Sequence, residues 1–216
     1  CHQVYITNTP GVLSDAVADL ALLYMLALAR GILYADKYTR TAWGKQPTGY
    51  PPLGCDLAGK TLGIIGLGRI GYEVAKRAKG FGMSIIYYDF VQNKVTEDNF
   101  GAKRTSLDEV MKQSDFISIH CNLTEQSKKL IGEHQIGAMK KTAYLINTAR
   151  GPIVDQKALT KALQAKQIAG AGLDVFDPEP LPPEDPLREL DNVVLAPHVG
   201  SLTVEARRGM AIADAK

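Results

Sequence analysis

The clearest pattern in the chain begins at Lys60, where short apolar runs alternate with segments whose apolar residues recur at helical spacing. The apolar runs, FISI and AYLI among them, are continuous rather than alternating. Continuous runs are typical of parallel strands that are covered on both faces. Strands that alternate with helices through short connections predict an α/β fold in which one parallel sheet is doubly wound. We predict strands near 61–66, 84–89, 116–120, 143–147, 170–175 and 193–196, and helices near 69–80, 106–113, 133–139, 155–166 and 201–215.

A long helix is predicted ahead of this alternation, from about residue 16 to residue 35. Ser14 and Asp15 belong to the residue types that cap helix N-termini well. The predicted helix is apolar nearly all round, so we expect it to be buried, in part against another subunit. Residues 36–59 contain repeated prolines and glycines that break any regular period, and we interpret them as a connecting arm.

The stretch TLGIIGLGRIG, residues 61–71, places three glycines between a predicted strand and a predicted helix. Gly66 permits a tight turn, Gly68 lets the backbone approach a pyrophosphate, and Gly71 lets the helix pack closely on the strand. The phosphates of a dinucleotide would lie at the positive N-terminus of that helix. The next predicted strand ends in Asp89, eighteen residues after Gly71. An acid at about that spacing can accept a hydrogen bond from a ribose 2′-hydroxyl, so the pattern predicts a dinucleotide site.

Charge and cysteine content argue against several other classes of partner. The 216 residues carry a formal net charge of +2 without a basic patch, so nucleic acid is not expected to bind. The three cysteines (Cys1, Cys55 and Cys121) are widely spaced and form no metal-binding or disulfide pattern, which indicates a reducing, cytoplasmic setting. The longest uncharged apolar run, residues 20–29, is too short to cross a membrane.

Polar residues follow the ends of the predicted strands, where an open parallel sheet gathers its ligands. Hydride transfer to a keto acid needs a cation for the substrate carboxylate and a proton donor for the developing alkoxide. Arg150 can supply the cation, since a guanidinium matches a carboxylate in a bidentate geometry. His198, after the sixth predicted strand, is favoured over His120 as the proton donor. The spacing does not choose the histidine's partner among the nearby acids Asp174, Asp177, Glu179, Glu184 and Asp185.

Five motifs that occur in order along the chain bear on this choice: NTPGVLSDAVADLA, TLGIIGLGRIG, INTARGPIVD, GAGLDVFDPEPL and LAPHVGS. Together they resemble the cofactor domain of the D-isomer-specific 2-hydroxyacid dehydrogenases. Within that family the chain is most similar to the branch of glyoxylate/hydroxypyruvate reductase and phosphoglycerate dehydrogenase. The resemblance implies an NAD-dependent enzyme that interconverts a 2-oxo acid and a D-2-hydroxy acid, such as glyoxylate, hydroxypyruvate or a phosphoglycerate-like substrate.

The resemblance also implies a role for each candidate residue. Arg150 would bind the substrate's carboxylate and carbonyl, and His198 would be the acid/base. Glu179 would hydrogen-bond His198 and stabilise its protonated form. Asn122 stands where the family usually has proline, so the adenine-side wall is expected to differ slightly. The implied cofactor contacts are Gly66, Gly68, Arg69, Ile70, Gly71, Asp89, Cys121 and Asn122, with Thr148, Ala149, Asp174 and Gly200 around the nicotinamide and Asp174 on its carboxamide.

The resemblance implies a second, substrate domain, which we expect to be missing from these 216 residues. We therefore expect them to bind the dinucleotide but to reduce keto acids poorly on their own, because cleft closure completes such sites. The apolar helix and the arm predict a homodimer, and in the resembling family they form the subunit contact. The expected division is a crossing helix and domain connection (1–35), an arm (36–59), a dinucleotide-binding domain (60–200) and the start of a return helix (201–216).

An alternative exists both for the cofactor that the domain binds and for its function. Asp89 would repel a 2′-phosphate, and Phe90 and Val91 follow it where an arginine would accommodate one, so NAD(H) is predicted over NADP(H). A non-catalytic NAD(H)-sensing module, like the co-repressors built on the same fold, would carry the same residues. Another Rossmann enzyme, such as a homocysteine-forming hydrolase, is disfavoured by the order of the ARG, EP and PH motifs.

Overall fold

Seven parallel strands form a single sheet in the computed structural model, which describes residues 11–44 and 51–214. The strand order is β3-β2-β1-β4-β5-β6-β7, so the sheet grows in both directions from β1. This order confirms the predicted doubly wound α/β fold. The strands are β1 (Thr61–Ile65), β2 (Ser84–Tyr88), β3 (Lys103–Arg104), β4 (Phe116–Ile119), β5 (Tyr144–Asn147), β6 (Gly170–Leu173) and β7 (Val193–Leu195).

The predicted helices after Lys60 are confirmed to within a few residues, as are the six predicted strands. Short connections and parallel pairing place the carboxyl ends of all seven strands at one edge of the sheet. The α-helices within the described residues are α1 (Ser14–Arg30), α2 (Ile32–Thr41), α3 (Arg69–Gly80), α4 (Lys94–Phe100), α5 (Leu107–Gln113), α6 (Glu133–Gly137), α7 (Gln156–Gln164) and α8 (Val204–Asp214).

Two elements are missing from the sequence prediction, and both lie between β2 and α5. The strand β3 has only two residues, both charged and exposed, so it carries no apolar pattern. The helix α4 is also short, and its N-cap Asn93 accepts a hydrogen bond from the backbone N–H of Thr96. Short polar elements of this kind depend on their neighbours rather than on periodicity.

The prediction for the N-terminal helix is wrong in its bounds. The helix begins at Ser14, Leu13 occupies the N-cap position, and no side chain forms a cap hydrogen bond. It ends at Arg30 because Gly31 adopts a left-handed conformation with a φ of 55°. A second helix, α2, then extends into the predicted arm and has no buried residue, contrary to the expected burial through residue 35. The part of the arm at 45–50 and the chain ends at 1–10 and 215–216 lie outside the described residues.

The helix α1 packs on α3 and across β5 and β6, so it covers one face of the sheet. Its Tyr24 lies directly over Gly172, where a Cβ would come within 2.7 Å of the Tyr24 ring. Arg77 of α3 joins the two helices at the surface, since its guanidinium contacts Asp15 and Asp19 of α1 at 2.8 and 2.6 Å. The other face of the sheet is covered by α5, α6 and α7, whose buried side chains form an apolar cluster with those of the strands.

No single described helix is both long and apolar enough to cross a membrane. The pair α1 and α2 would suffice in length and composition, but the two helices meet at an angle of 57°.

Candidate active site

The three glycines after β1 occupy three different environments. Gly66 has a φ of 90°, and a Cβ there would lie 2.4 Å from the backbone nitrogen of Cys121. A Cβ on Gly71 would lie 2.4 Å from the carbonyl oxygen of Gly66, which shows that helix and turn are in close contact. Apart from its chain neighbours and the backbone of its own helix, no atom of the described residues lies within 4 Å of the Cβ position of Gly68. Gly68 therefore leaves open space at the N-terminus of α3, as a pyrophosphate would require.

Asp89 and Asn93 both hydrogen-bond to Leu67, the residue between Gly66 and Gly68. The Asp89 carboxylate accepts hydrogen bonds from the backbone N–H of Leu67 at 2.7 Å and of Val91 at 3.1 Å. The Asn93 side-chain amide donates to the carbonyl of Leu67 at 2.8 Å. The turn is thus fixed from both sides, and Asp89 also lines the cavity beside it.

Two adjoining cavities run along the carboxyl ends of the strands, with volumes of about 560 and 450 Å³. The first is lined by the glycine turn, Asp89 and Phe90, and the second by Arg150 and His198. Both are lined by Ile70, His120, Cys121 and Asn122, so together they form one elongated groove. The other predicted residues on this groove are Gly66, Gly68 and Arg69 in the first cavity, and Thr148, Ala149, Asp174 and Gly200 in the second.

His198 lies in the second cavity with a carboxylate at its Nδ1. Its Nδ1 is 2.6 Å from Glu179 Oε1, and Glu179 Oε2 accepts a hydrogen bond from the backbone N–H of Phe176. Of the acids that spacing left open, the fold therefore brings Glu179 to the histidine. His198 adopts a φ of 57°, which is uncommon for a residue with a side chain. The Nδ1 contact leaves Nε2 as the ring nitrogen that has no carboxylate partner in the described part of the chain.

Asp174 supports the loop that carries His198. Its side chain is buried, and its two oxygens accept hydrogen bonds from the backbone N–H groups of Val199 and Gly200, both at 2.8 Å. Burial raises the pKa of Asp174, although these two hydrogen bonds oppose the shift. Contact between Asp174 and a nicotinamide carboxamide stays a prediction, as do the other cofactor roles.

Arg150 follows β5 in a loop that Asn147 organises. The buried Asn147 side chain accepts a hydrogen bond from the N–H of Ala149 and donates one to the carbonyl of Arg150, both at 3.0 Å. Gly151 packs so closely on Phe176 that a Cβ would lie 1.8 Å from its carbonyl oxygen. The exposed guanidinium of Arg150 is therefore presented from a constrained backbone at the edge of the second cavity.

His120 lies in a different environment from His198. Its Nε2 lies 2.8 Å from the hydroxyl of Ser118, and burial lowers the pKa of His120 to about 3. A neutral ring of this kind suits structural hydrogen bonding better than proton donation near neutral pH. The neighbouring Cys121 is similarly inert, because burial raises its pKa to about 11.

The groove fits a dinucleotide on the evidence of its own atoms. Gly68 leaves a cradle that a Cβ would fill, and the buried Thr148 hydroxyl, on the wall of the second cavity, has no partner among the described residues. Asn93 and Asn147, which hold the two binding loops, were not assigned such roles from the sequence. A helix N-cap for Asn93 and a strand end for Asn147 were the only local signals. The glycine turn, the acid after β2 and the groove define a dinucleotide-binding domain of the Rossmann type.

Residues 22–200 match the family described as D-isomer specific 2-hydroxyacid dehydrogenase, NAD binding domain. The chain belongs to this family, and the match confirms both the resemblance and NAD as the cofactor of the domain.

Individual relatives agree with this assignment. The chain is 54% identical over 217 residues to a glyoxylate reductase from Thermococcus litoralis, covering 99% of this chain and 65% of the relative. It is 52% identical over 211 residues to a glyoxylate reductase from Korarchaeum cryptofilum, covering 96% of this chain and 63% of the relative. A solved D-lactate dehydrogenase from Aquifex aeolicus, complexed with NAD and lactic acid, is 32% identical with a TM-score of 0.84 and covers 94% of this chain. The chain spans 65% of that structure and, as stated, 63–65% of the curated relatives.

Proposed function

We propose that the full-length protein is an NAD-dependent D-2-hydroxyacid dehydrogenase that reduces a 2-oxo acid such as glyoxylate or hydroxypyruvate. The observation that carries this proposal is the 2.6 Å contact between Glu179 and His198, whose ring lines the same cavity as Arg150. A carboxylate-supported imidazole beside a guanidinium is the combination that reduction of a keto acid needs. The relatives named glyoxylate reductase support the choice of substrate class.

NADH, when bound, supplies the hydride. Arg150 binds the substrate carboxylate and carbonyl in a bidentate geometry. Because the ionised Glu179 only accepts hydrogen bonds, the proton on Nδ1 of His198 points toward it and the transferable proton lies on Nε2. His198 Nε2 donates that proton to the carbonyl oxygen as the alcohol forms, and it takes the proton back in the reverse reaction.

The cofactor would lie along the groove with its adenine end in the first cavity. Asp89 accepts hydrogen bonds from the adenosine ribose, and the carboxylate disfavours a 2′-phosphate, so NAD(H) is preferred over NADP(H). The residues proposed to hold the cofactor are Gly66, Gly68, Arg69, Ile70, Asp89, Cys121 and Asn122 in the first part of the groove, and Thr148, Ala149, Asp174 and Gly200 around the nicotinamide. The sequence also predicts Gly71 as a cofactor residue, but it does not line the groove; it packs against the carbonyl of Gly66 and supports the turn from behind.

The test is oxidation of NADH by the full-length protein in the presence of glyoxylate or hydroxypyruvate. We expect His198→Ala to lower kcat/KM by about 100-fold to 10,000-fold, because it removes the proton donor. His134→Ala is the matched control, since His134 is an exposed histidine on α6 and should leave the rate unchanged. Full activity in His198→Ala, or no turnover of either keto acid by the unaltered protein, would contradict the proposal. In the second case a non-catalytic NAD(H)-sensing module, which no observation on this chain favours, would become the better account.

The proposal includes a homodimer formed through α1, α2 and the arm. Five large apolar side chains on these segments are more than half exposed in the single chain: Leu23, Ile32, Leu33, Tyr34 and Trp43. Several large apolar side chains exposed on neighbouring segments are typical of a protein–protein contact.

A further inference from the structure

The edge strand β3 places Arg104 beside the end of β2. The sequence alone does not predict this proximity. Arg104 pairs with Tyr87 in the parallel register of β2 and β3. The ladder continues one residue further, where the N–H of Thr105 donates to the carbonyl of Tyr87 at 2.9 Å. Arg104 therefore lies beside Asp89, although fifteen residues separate them along the chain.

The guanidinium of Arg104 is fixed by backbone carbonyls. Its Nη2 donates to the carbonyl of Asp89 at 2.9 Å and to that of Phe90 at 2.8 Å, and its Nε lies 3.2 Å from the Asp89 carbonyl. Both carbonyls belong to residues that line the first cavity. A positive charge is thus held next to the residue that is proposed to accept the ribose hydroxyls.

No acid neutralises this charge through a direct contact. Among the described residues Arg104 forms no ion pair within 4 Å, and its side chain is exposed. The Asp89 carboxylate is bonded to the N–H groups of Leu67 and Val91 instead. The other nearby acid, Glu97, accepts hydrogen bonds from Tyr87 and Gln92, both at 2.8 Å. The Nη1 group of Arg104 has no hydrogen-bond acceptor among the described residues, so it keeps its capacity to bind an anion.

We propose that Arg104 is a second determinant of cofactor choice: a fixed cation directly behind Asp89 and Phe90 of the first cavity, able to bind a 2′-phosphate that the charge of Asp89 keeps out. This inference rests on the proposed NAD(H) site. A phosphate monoester carries about −1.5 to −2 charge near neutral pH. Since the backbone carbonyls occupy Nε and Nη2, Arg104 would bind a phosphate oxygen through Nη1, in a charge-assisted hydrogen bond. The preference for NADH therefore reflects a balance between one acid and one arginine.

The experiment measures NADH and NADPH dissociation constants for full-length variants by nucleotide fluorescence. Asp89→Asn removes the charge but keeps the shape of the side chain, and we expect it to raise NADPH affinity by about 10-fold or more. Adding Arg104→Gln should remove most of that gain, while Arg104→Lys in the same background should retain part of it. Lys103→Gln in the Asp89→Asn background is the matched control, because it removes a cation from the same exposed strand.

The outcomes separate this inference from the proposed function. An NADPH gain that disappears with Arg104→Gln but persists with Lys103→Gln supports the role of Arg104. A gain that is equal in both double variants overturns it, even when NADH still binds. An unaltered protein that fails to bind NADH refutes the proposed function itself.

Discussion

Two glycines of the same turn show how differently neighbouring residues depend on their surroundings. Gly66 needs its missing side chain for the fold, since it combines a φ of 90° with a close approach to Cys121. Gly68 has a φ of −79° and open space around its Cβ position, so the fold alone would tolerate a side chain. The sequence marks both residues in one motif, but only the contacts separate a folding role from a proposed binding role.

We predict that Gly68→Ala keeps its stability within about 1 kcal/mol of the unaltered protein, yet weakens NADH binding by about 10-fold or more, because the methyl group enters the cradle. Gly66→Ala should instead lose more than about 2 kcal/mol of unfolding free energy through backbone strain and overlap with Cys121. Urea unfolding and NADH titration measure the two effects. If Gly68→Ala bound NADH as tightly as the unaltered protein, the proposal that Gly68 leaves space for the pyrophosphate would be wrong.

The partner of His198 is a second lesson at this scale. Spacing left five acids open, and the family resemblance pointed to Glu179. The contact exists because the loops after β6 and β7 meet at the edge of the sheet, where the Phe176 N–H also holds Glu179. The catalytic roles of both residues stay predictions until they are measured.

At the scale of elements, Asp115, which directly precedes β4, connects the beginnings of β4, β1 and β5. Its carboxylate accepts hydrogen bonds from the N–H of Thr61, which begins β1, at 2.9 Å and from the ammonium of Lys140 at 2.8 Å. Its backbone carbonyl accepts from Tyr144 at the start of β5. Burial alone would raise the pKa of Asp115, but the bonds from Lys140 and Thr61 outweigh it and lower the pKa below its usual value.

A lowered pKa in the folded state gives stability that is present above the unfolded pKa of about 3.9 and is lost as the pH falls through the folded pKa. Asp115→Asn should therefore cost about 1 kcal/mol or more near neutral pH, and the difference from the unaltered protein should shrink in acid below about pH 4. Urea unfolding across this pH range tests the prediction. Asp191→Asn, at an exposed acid before β7, should show neither effect. A loss that did not depend on pH would rule out the ionised contact as its source.

The sequence predicted the helices and strands that have a clear apolar pattern and missed those that do not. The buried strands β4 and β5 and the amphipathic α3 and α7 appear in the sequence as clear periods, and the structure confirms them. The exposed β3 and the short α4 have no such period and were missed. The bend between α1 and α2 was missed as well, because a single glycine is tolerated within a helical pattern and only the structure shows the left-handed conformation of Gly31.

At the scale of the whole molecule, the exposed apolar side chains of α1 and α2 make the proposed dimer testable. We predict that the full-length protein sediments as a dimer and that Leu33→Glu combined with Tyr34→Glu shifts it toward monomer, since charged groups are costly at the centre of an interface. Analytical ultracentrifugation measures the change. Lys37→Glu, on the same helix but already charged and polar, is the comparison variant. A double variant that stayed dimeric with native stability would place the interface elsewhere.

The sequence by itself determined the alternation of strands and helices, the position of the glycine turn and membership of the family, because these features are encoded within short segments. Tertiary structure decided which distant residues meet: Glu179 with His198, Cys121 with Gly66, and Arg104 with Asp89. Those contacts depend on strand order and on how loops pack at the edge of the sheet. Local periodicity records which face of an element is buried, but it does not record which side chains lie across from it.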